Sequence, residues 1–83
     1  MPSMKTDEAL HWLAEVFEDS PGRISESMAR GDIPGWDSLG TLSLIAGLDE
    51  RFDIQLSEQD IEALKSVADL FDLLRRHGAL VAA

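Results

Sequence analysis

The first run of regularly spaced hydrophobic residues follows Thr6. Apolar side chains return there every three or four positions, which is the spacing of one face of an α-helix. Thr6 is the predicted N-cap, and the acidic residues Asp7 and Glu8 suit the first turn of a helix. Proline and glycine within residues 19–22 predict its end. The apolar residues of this helix are Leu10, Leu13, Ala14 and Phe17, with Trp12 and Val16 beside them.

A second helical stretch begins at Asp37 or Ser38 and runs to about Phe52. Gly40 and Gly47 each weaken it by about 1 kcal/mol relative to alanine, and we expect Gly47 to serve close packing inside the bundle. The residues predicted to form its broad apolar face are Leu39, Leu42, Ile45, Ala46 and Leu48.

Residues 23–36 form a long connection between these two helices. Its apolar residues, Ile24, Met28 and Ile33, are the expected anchors to the core. A loop of this length in so small a protein is uncommon unless it has a function.

The last third of the chain predicts a short helix and a longer one. Ser57 is the N-cap of the short helix, and the longer helix starts after Ser66 and ends at His77, where Gly78 acts as the stop signal. The pattern predicts an all-α fold: a small bundle of three main helices and one short helix, forming a single domain over residues 1–83. Residues 1–5 and 79–83 are expected to be frayed tails.

Composition and charge exclude several classes of function. The 83 residues allow one core, and the absence of cysteine excludes disulfides, thiolate nucleophiles and cysteine-based zinc sites. No apolar run is long enough for a signal peptide or a membrane span, which favours a cytoplasmic protein. The net charge of −9 opposes binding to nucleic acid or anionic membranes and favours a monomer that meets basic partner surfaces.

Ser38 is the main candidate for chemistry because it stands where a Gly/Pro-containing loop meets the second helix. The first-turn N–H groups of a helix have no intrahelical partners, so a phosphate on this serine would find donors there. The dipole contributes only about 0.3–1 kcal/mol, which suits a covalent phosphodiester better than a reversible phosphate site. The alternative is a plain helix start, with Asp37 as the N-cap.

The arrangement of helices and the run from Gly35 to Leu39 resemble an acyl carrier protein. The similarity covers nearly the whole chain, and the Asp-Ser-Leu triplet at residues 37–39 opens the second helix about fourteen residues before Phe52, as in that family. The resemblance implies that Ser38 is the attachment site of 4′-phosphopantetheine, which a phosphopantetheinyl transferase moves from coenzyme A with magnesium. The thiol of that arm then carries cargo as a thioester.

The resemblance also implies the partners. A loading enzyme, either an adenylating ligase or an acyltransferase, would attach the acyl or aminoacyl cargo, and downstream enzymes would accept it. Asp37 resembles the acid that assists the transferase, although capping the helix is an equally good role.

Some positions depart from the carriers of fatty acid synthesis. Those carriers usually place acids directly after the triplet and again three residues later, where this chain has Gly40 and Ser43. The acids further along, Asp49, Glu50 and Asp53, remain candidates for docking basic partners. Gly40 and Thr41 after the serine resemble carriers from other pathways, including D-alanyl carriers and stand-alone carriers of polyketide or nonribosomal peptide synthesis.

Two apolar residues beside the serine are further candidates for partner binding. Trp36 either anchors a partner or packs the loop onto the bundle, and packing is favoured. Leu39 is expected to be half exposed beside the arm, with core packing as the alternative. Neither His11 nor His77 has a companion at the spacing of a metal site or a catalytic triad.

Three other classes of function compete with a carrier. A helical interaction domain that is not modified is the main alternative to a carrier. An EF-hand is suggested by the acids around residues 51–60, but the chain lacks the D-x-[DN]-x-[DN]-G ligand loop. An enzyme is disfavoured, because no nucleophile and base stand at a recognisable spacing. We therefore expect no catalytic residues and no metal ligands.

Overall fold

The computed structural model describes residues 4–81 and is predominantly helical. The predicted all-α bundle of three longer helices and one short helix is confirmed, with a pair of two-residue strands added. In chain order the elements are β1 (Met4–Lys5), α1 (Thr6–Val16), 3₁₀ turns at Pro21–Arg23 and Arg30–Asp32, α2 (Ser38–Phe52), α3 (Glu58–Ala63), α4 (Val67–Arg76) and β2 (Leu80–Val81).

Helix α1 begins one residue earlier than the predicted cap implies. Lys5 is the N-cap, and its backbone N–H donates to Oε1 of Glu8 at 3.1 Å. Thr6 is therefore the first helical residue, not the cap. The Glu8 carboxylate reaches back to the N–H of the residue before the helix, which is the N3 half of a capping box.

The strand pair corrects the expectation that both tails are frayed. β1 and β2 pair in parallel, with Met4 opposite Leu80, and the Met4 N–H donates to the Ala79 carbonyl oxygen at 2.9 Å. Met4, Ala79 and Leu80 are buried in the same core cluster as α1 and α4. Burial of these apolar side chains holds the two ends together. The rest of the predicted tails, residues 1–3 and 82–83, lies outside the described residues.

The long connection is fixed to the core and to the segment between α3 and α4. Ile24 and Ile33 are buried and Met28 packs against the core, which confirms the three predicted anchors. The Arg30 N–H donates to the Lys65 carbonyl oxygen at 2.8 Å, and the Val67 N–H donates to that of Met28 at 3.0 Å. The loop is therefore held at its middle as well as at its ends.

The buried face of α2 differs from the predicted one. Its buried residues follow a strict four-residue spacing: Gly40, Leu44, Leu48 and Phe52. The predicted face was wrong at Leu39, Leu42 and Ala46: the two leucines are 75% and 62% exposed, and Ala46 is exposed as well. A helix advances about 100° per residue, so the stripe that starts at Gly40 turns both leucines towards solvent.

Three local predictions in the last third of the chain are confirmed. Ser57 and Asp60 cap α3 reciprocally with hydrogen bonds of 3.1 Å in each direction. Ser66 caps α4 by accepting the Asp69 N–H at 3.1 Å. Gly78 follows α4 with a φ of 71°, a left-handed conformation that suits glycine.

Candidate functional site

The candidate site is the start of α2. Asp37 is the N-cap, as predicted, and its Oδ1 accepts the Gly40 N–H at 2.9 Å. Its carbonyl oxygen accepts both the N–H and the hydroxyl of Thr41, each at 2.8 Å. Ser38 is the first residue of the helix and is exposed. The serine is thus presented to solvent at a helix end that is fixed by hydrogen bonds to Asp37.

Two glycines allow the loop and α1 to approach this helix end closely. A methyl group on Gly40 would overlap the Gly35 carbonyl oxygen, and one on Gly35 would overlap that of Phe17. Gly40 is buried at this contact. The backbone of the loop therefore rests directly on the first turn of α2, next to Ser38.

Trp36 is part of the support beneath the site. Its ring stacks on Phe17 with centroids 5.1 Å apart and an interplanar angle of 17°, and the residue is only 4% exposed. Its candidacy as a surface anchor for a partner is therefore wrong. The large apolar ring of Trp36 is more stable when buried, and the path of the loop places it against Phe17 just after the end of α1.

Leu39 is displayed beside Ser38. Its side chain is more exposed than the half exposure we expected, and it borders an open groove of about 520 Å³ between the end of α1 and the start of α2. Asp37 and Ser43 line the same groove. Leu39 is thus accessible to a partner that approaches the serine.

The acidic candidates lie at the other end of α2. Asp49, Glu50 and Asp53 are all exposed, and Asp53 is the C-cap with a left-handed φ of 57°. Eleven residues separate Ser38 from Asp49, which corresponds to roughly 16 Å along a helix. The structure therefore brings Asp37, Ser38 and Leu39 together and leaves the acidic group three turns away.

Arg30 and Thr41 adjoin this site, and nothing in the sequence pattern predicts Arg30 there. The Arg30 Nη2 donates to the Thr41 Oγ1 at 3.1 Å, and the guanidinium carbon lies 5.8 Å from the Trp36 ring centroid. No local sequence signal joins a loop arginine to a helix residue eleven positions later. The contact depends on the path of the long loop.

Comparison with known proteins identifies the family. An acyl carrier protein of Syntrophobacter fumaroxidans is 38% identical over 45 residues, which are 54% of this chain and 56% of that relative. An acyl carrier protein of Bdellovibrio bacteriovorus is 31% identical over 66 residues, covering 80% of this chain and 85% of the relative. The chain belongs to the acyl carrier protein family. Its match to the first of these two acyl carrier proteins spans little more than half of that relative's length.

Other comparisons leave this assignment as it stands. No protein-family model matches the chain, and no solved structure matches it. Membership of the acyl carrier protein family and the small helical fold support a carrier role and interaction with enzymes of acyl pathways. Within residues 4–81, none of the helices has both the length and the apolar character needed to cross a bilayer.

Proposed function

We propose that this protein carries acyl or aminoacyl cargo as a thioester on a 4′-phosphopantetheine arm attached to Ser38. The observation that carries the proposal is the placement of Ser38, exposed and first in α2, within a chain of the acyl carrier protein family. The chain has no cysteine of its own. The arm would supply the thiol to which the cargo is bound.

The residues at the start of α2 fit a phosphodiester. Asp37 accepts the Gly40 N–H, and the Thr41 N–H bonds within the helix. Over residues 4–81, the N–H groups of Ser38 and Leu39 have no hydrogen-bond acceptor. Both belong to the positive end of the α2 dipole, which favours a neighbouring anion. The Asp37 carboxylate is held at the cap by its bond to Gly40.

Different residues of the protein present the arm and dock the partner enzymes. Leu39 offers an apolar contact beside the arm, and Asp37 fixes the helix end and assists the transferase. Asp49, Glu50 and Asp53 steer basic partner enzymes towards α2, which suits brief encounters with successive enzymes. These partners are a phosphopantetheinyl transferase, a ligase or acyltransferase that loads the cargo, and enzymes that accept it. The chain itself does no catalysis.

The test is modification by a broad-specificity phosphopantetheinyl transferase with magnesium and coenzyme A, followed by intact mass measurement. Ser43→Ala is the matched control, because Ser43 is also an exposed serine of α2. We expect one added phosphopantetheine on the parent and on Ser43→Ala, and none on Ser38→Ala, with all three equally helical by circular dichroism.

Two results would contradict the proposal. Modification of Ser38→Ala would place the arm elsewhere. A folded parent that no transferase modifies would favour the alternative, a helical interaction domain that works without the arm.

A further inference from the structure

Arg30 connects three parts of the molecule near Ser38. Its backbone N–H is bound to Lys65, between α3 and α4, at 2.8 Å. Its side chain donates to Thr41 in the first turns of α2 at 3.1 Å and lies over Trp36. The guanidinium is therefore held at the end of the helix that carries the serine.

The charge of Arg30 is not neutralised by a carboxylate. The chain has 16 acidic and 7 basic residues, and two of the other four arginines form ion pairs between residues 4 and 81: Arg23 with Asp19 at 2.7 Å, and Arg75 with Asp72 at 3.2 Å. Between residues 4 and 81, no Asp or Glu oxygen lies within 4.0 Å of the Arg30 guanidinium. A partly buried cation whose hydrogen-bond partner is a neutral hydroxyl remains available to an anion.

The phosphodiester proposed on Ser38 would place an anion close to Arg30. Thr41 is three residues after Ser38 on the same helix, so the two β-carbons are about 5–6 Å apart. Arg30 already reaches Thr41. A guanidinium always carries its charge and presents several N–H donors in one plane, which suits two oxygens of a phosphodiester.

We propose that Arg30 is a positioning residue for the phosphopantetheine arm, and that its guanidinium binds the phosphodiester on Ser38. This inference rests on the function proposed above. Arg30 exchanges or shares its bond to the Thr41 hydroxyl when the phosphodiester is present, and its guanidinium carbon stays over the Trp36 ring. The loop that contains Arg30 thereby fixes the direction in which the arm leaves α2.

The test compares the ³¹P resonance of the holo-protein in the parent, Arg30→Gln, Arg30→Lys and Arg51→Gln. Arg51 is the matched control: it is an arginine over an aromatic ring, 5.9 Å from the Phe52 centroid, but at the far end of α2. Holo-proteins are prepared with the transferase and verified by intact mass. The ³¹P shift and the difference in Tm between holo and apo forms are then measured at low and high salt.

We expect the parent and Arg51→Gln to share one ³¹P shift and Arg30→Gln to have a displaced one. High salt should move the parent towards Arg30→Gln, because screening weakens the contact. Arg30→Lys, which keeps the charge and loses the planar fork, should fall between them. The gain in Tm on loading should be smaller in Arg30→Gln than in Arg51→Gln.

Coinciding ³¹P shifts in the parent and Arg30→Gln would overturn the role of Arg30 and leave the carrier function intact. If the parent takes no arm at all, both proposals fail together. If Arg30→Gln does not fold, the Nε–H resonance of Arg30 in the parent decides: movement on loading supports the contact, and an unchanged resonance overturns it.

Discussion

Replacing Gly40 with alanine separates helix propensity from packing at the start of α2. Propensity alone predicts that Gly40→Ala stabilises the protein, by about 1 kcal/mol in a helix interior. The structure predicts the opposite, because the new methyl group would overlap the Gly35 carbonyl oxygen and lie 3.2 Å from Cδ1 of Phe17. A backbone carbonyl cannot rotate away, so the loop or the helix must move.

The expected magnitude follows from these two terms. Overpacking in a tight interior costs about 1–3 kcal/mol, and a collision with backbone belongs at the upper end. Subtracting the propensity gain of about 1 kcal/mol leaves a loss of roughly 2 kcal/mol in the free energy of unfolding. With an m-value of about 1–2 kcal/mol/M, the urea midpoint should fall by about 1–2 M.

Gly47→Ala is the matched control, since it is the same change in the same helix. Its methyl group would meet Cζ2 of the Trp12 side chain at 2.9 Å, a milder contact than the overlap with a backbone carbonyl at Gly40. The overpacking cost is smaller there and the propensity gain nearly cancels it, so we expect a loss below about 1 kcal/mol. Urea unfolding followed by circular dichroism, at equal protein concentrations, measures both. If Gly40→Ala proved at least as stable as Gly47→Ala, the close approach of the loop to α2 would be refuted.

Three further perturbations test other parts of the molecule. Leu39→Ala should change stability by less than about 0.5 kcal/mol, because the side chain is exposed, but should raise the KM of transferase modification; unchanged kinetics would remove Leu39 from docking. Leu80→Ala should lower the free energy of unfolding by about 2–3 kcal/mol in urea titrations, and no loss would mean that β2 is not packed. Hydrogen bonds from the Ser57 backbone N–H, and next from its hydroxyl, lower the pKa of the Asp60 carboxyl group. The ionised carboxylate therefore stabilises the folded protein at pH values above its unfolded pKa, and this contribution is lost as pH falls through the lower folded pKa. Asp60→Asn should therefore flatten the decline of the urea midpoint below about pH 4, and an unaltered decline would contradict the cap.

The features that could be predicted from the sequence depend on neighbouring residues. Ser57, Ser66 and Asp37 each accept an N–H group three residues further on, so the residue type and its place before an apolar stretch are sufficient. Gly78 ends α4 for a similarly local reason. Ser38 was found in the same way, through its position at the start of a helix.

The features that were missed depend on contacts distant in sequence. Helix α2 has leucines on more than one side, so its sequence does not decide whether Leu42 or Leu44 is buried. The buried face is the one that Gly35 and Trp12 approach, and it contains Leu44. The pairing of Met4 with Leu80 joins opposite ends of the chain and has only two residues per strand. The contact between Arg30 and Thr41 likewise needs the folded path of the loop.

The parallel pairing of β1 and β2 has a mechanical consequence. The chain enters β1 at Met4 and leaves β2 at Val81, which are at opposite ends of the paired segment. Tension applied through the two ends of the described segment therefore pulls the strands past each other along their length and loads their hydrogen bonds together. An antiparallel pair at the same place would instead open one bond at a time. The hydrogen bonds between β1 and β2 must therefore break in shear before α1 and α4 can be pulled apart.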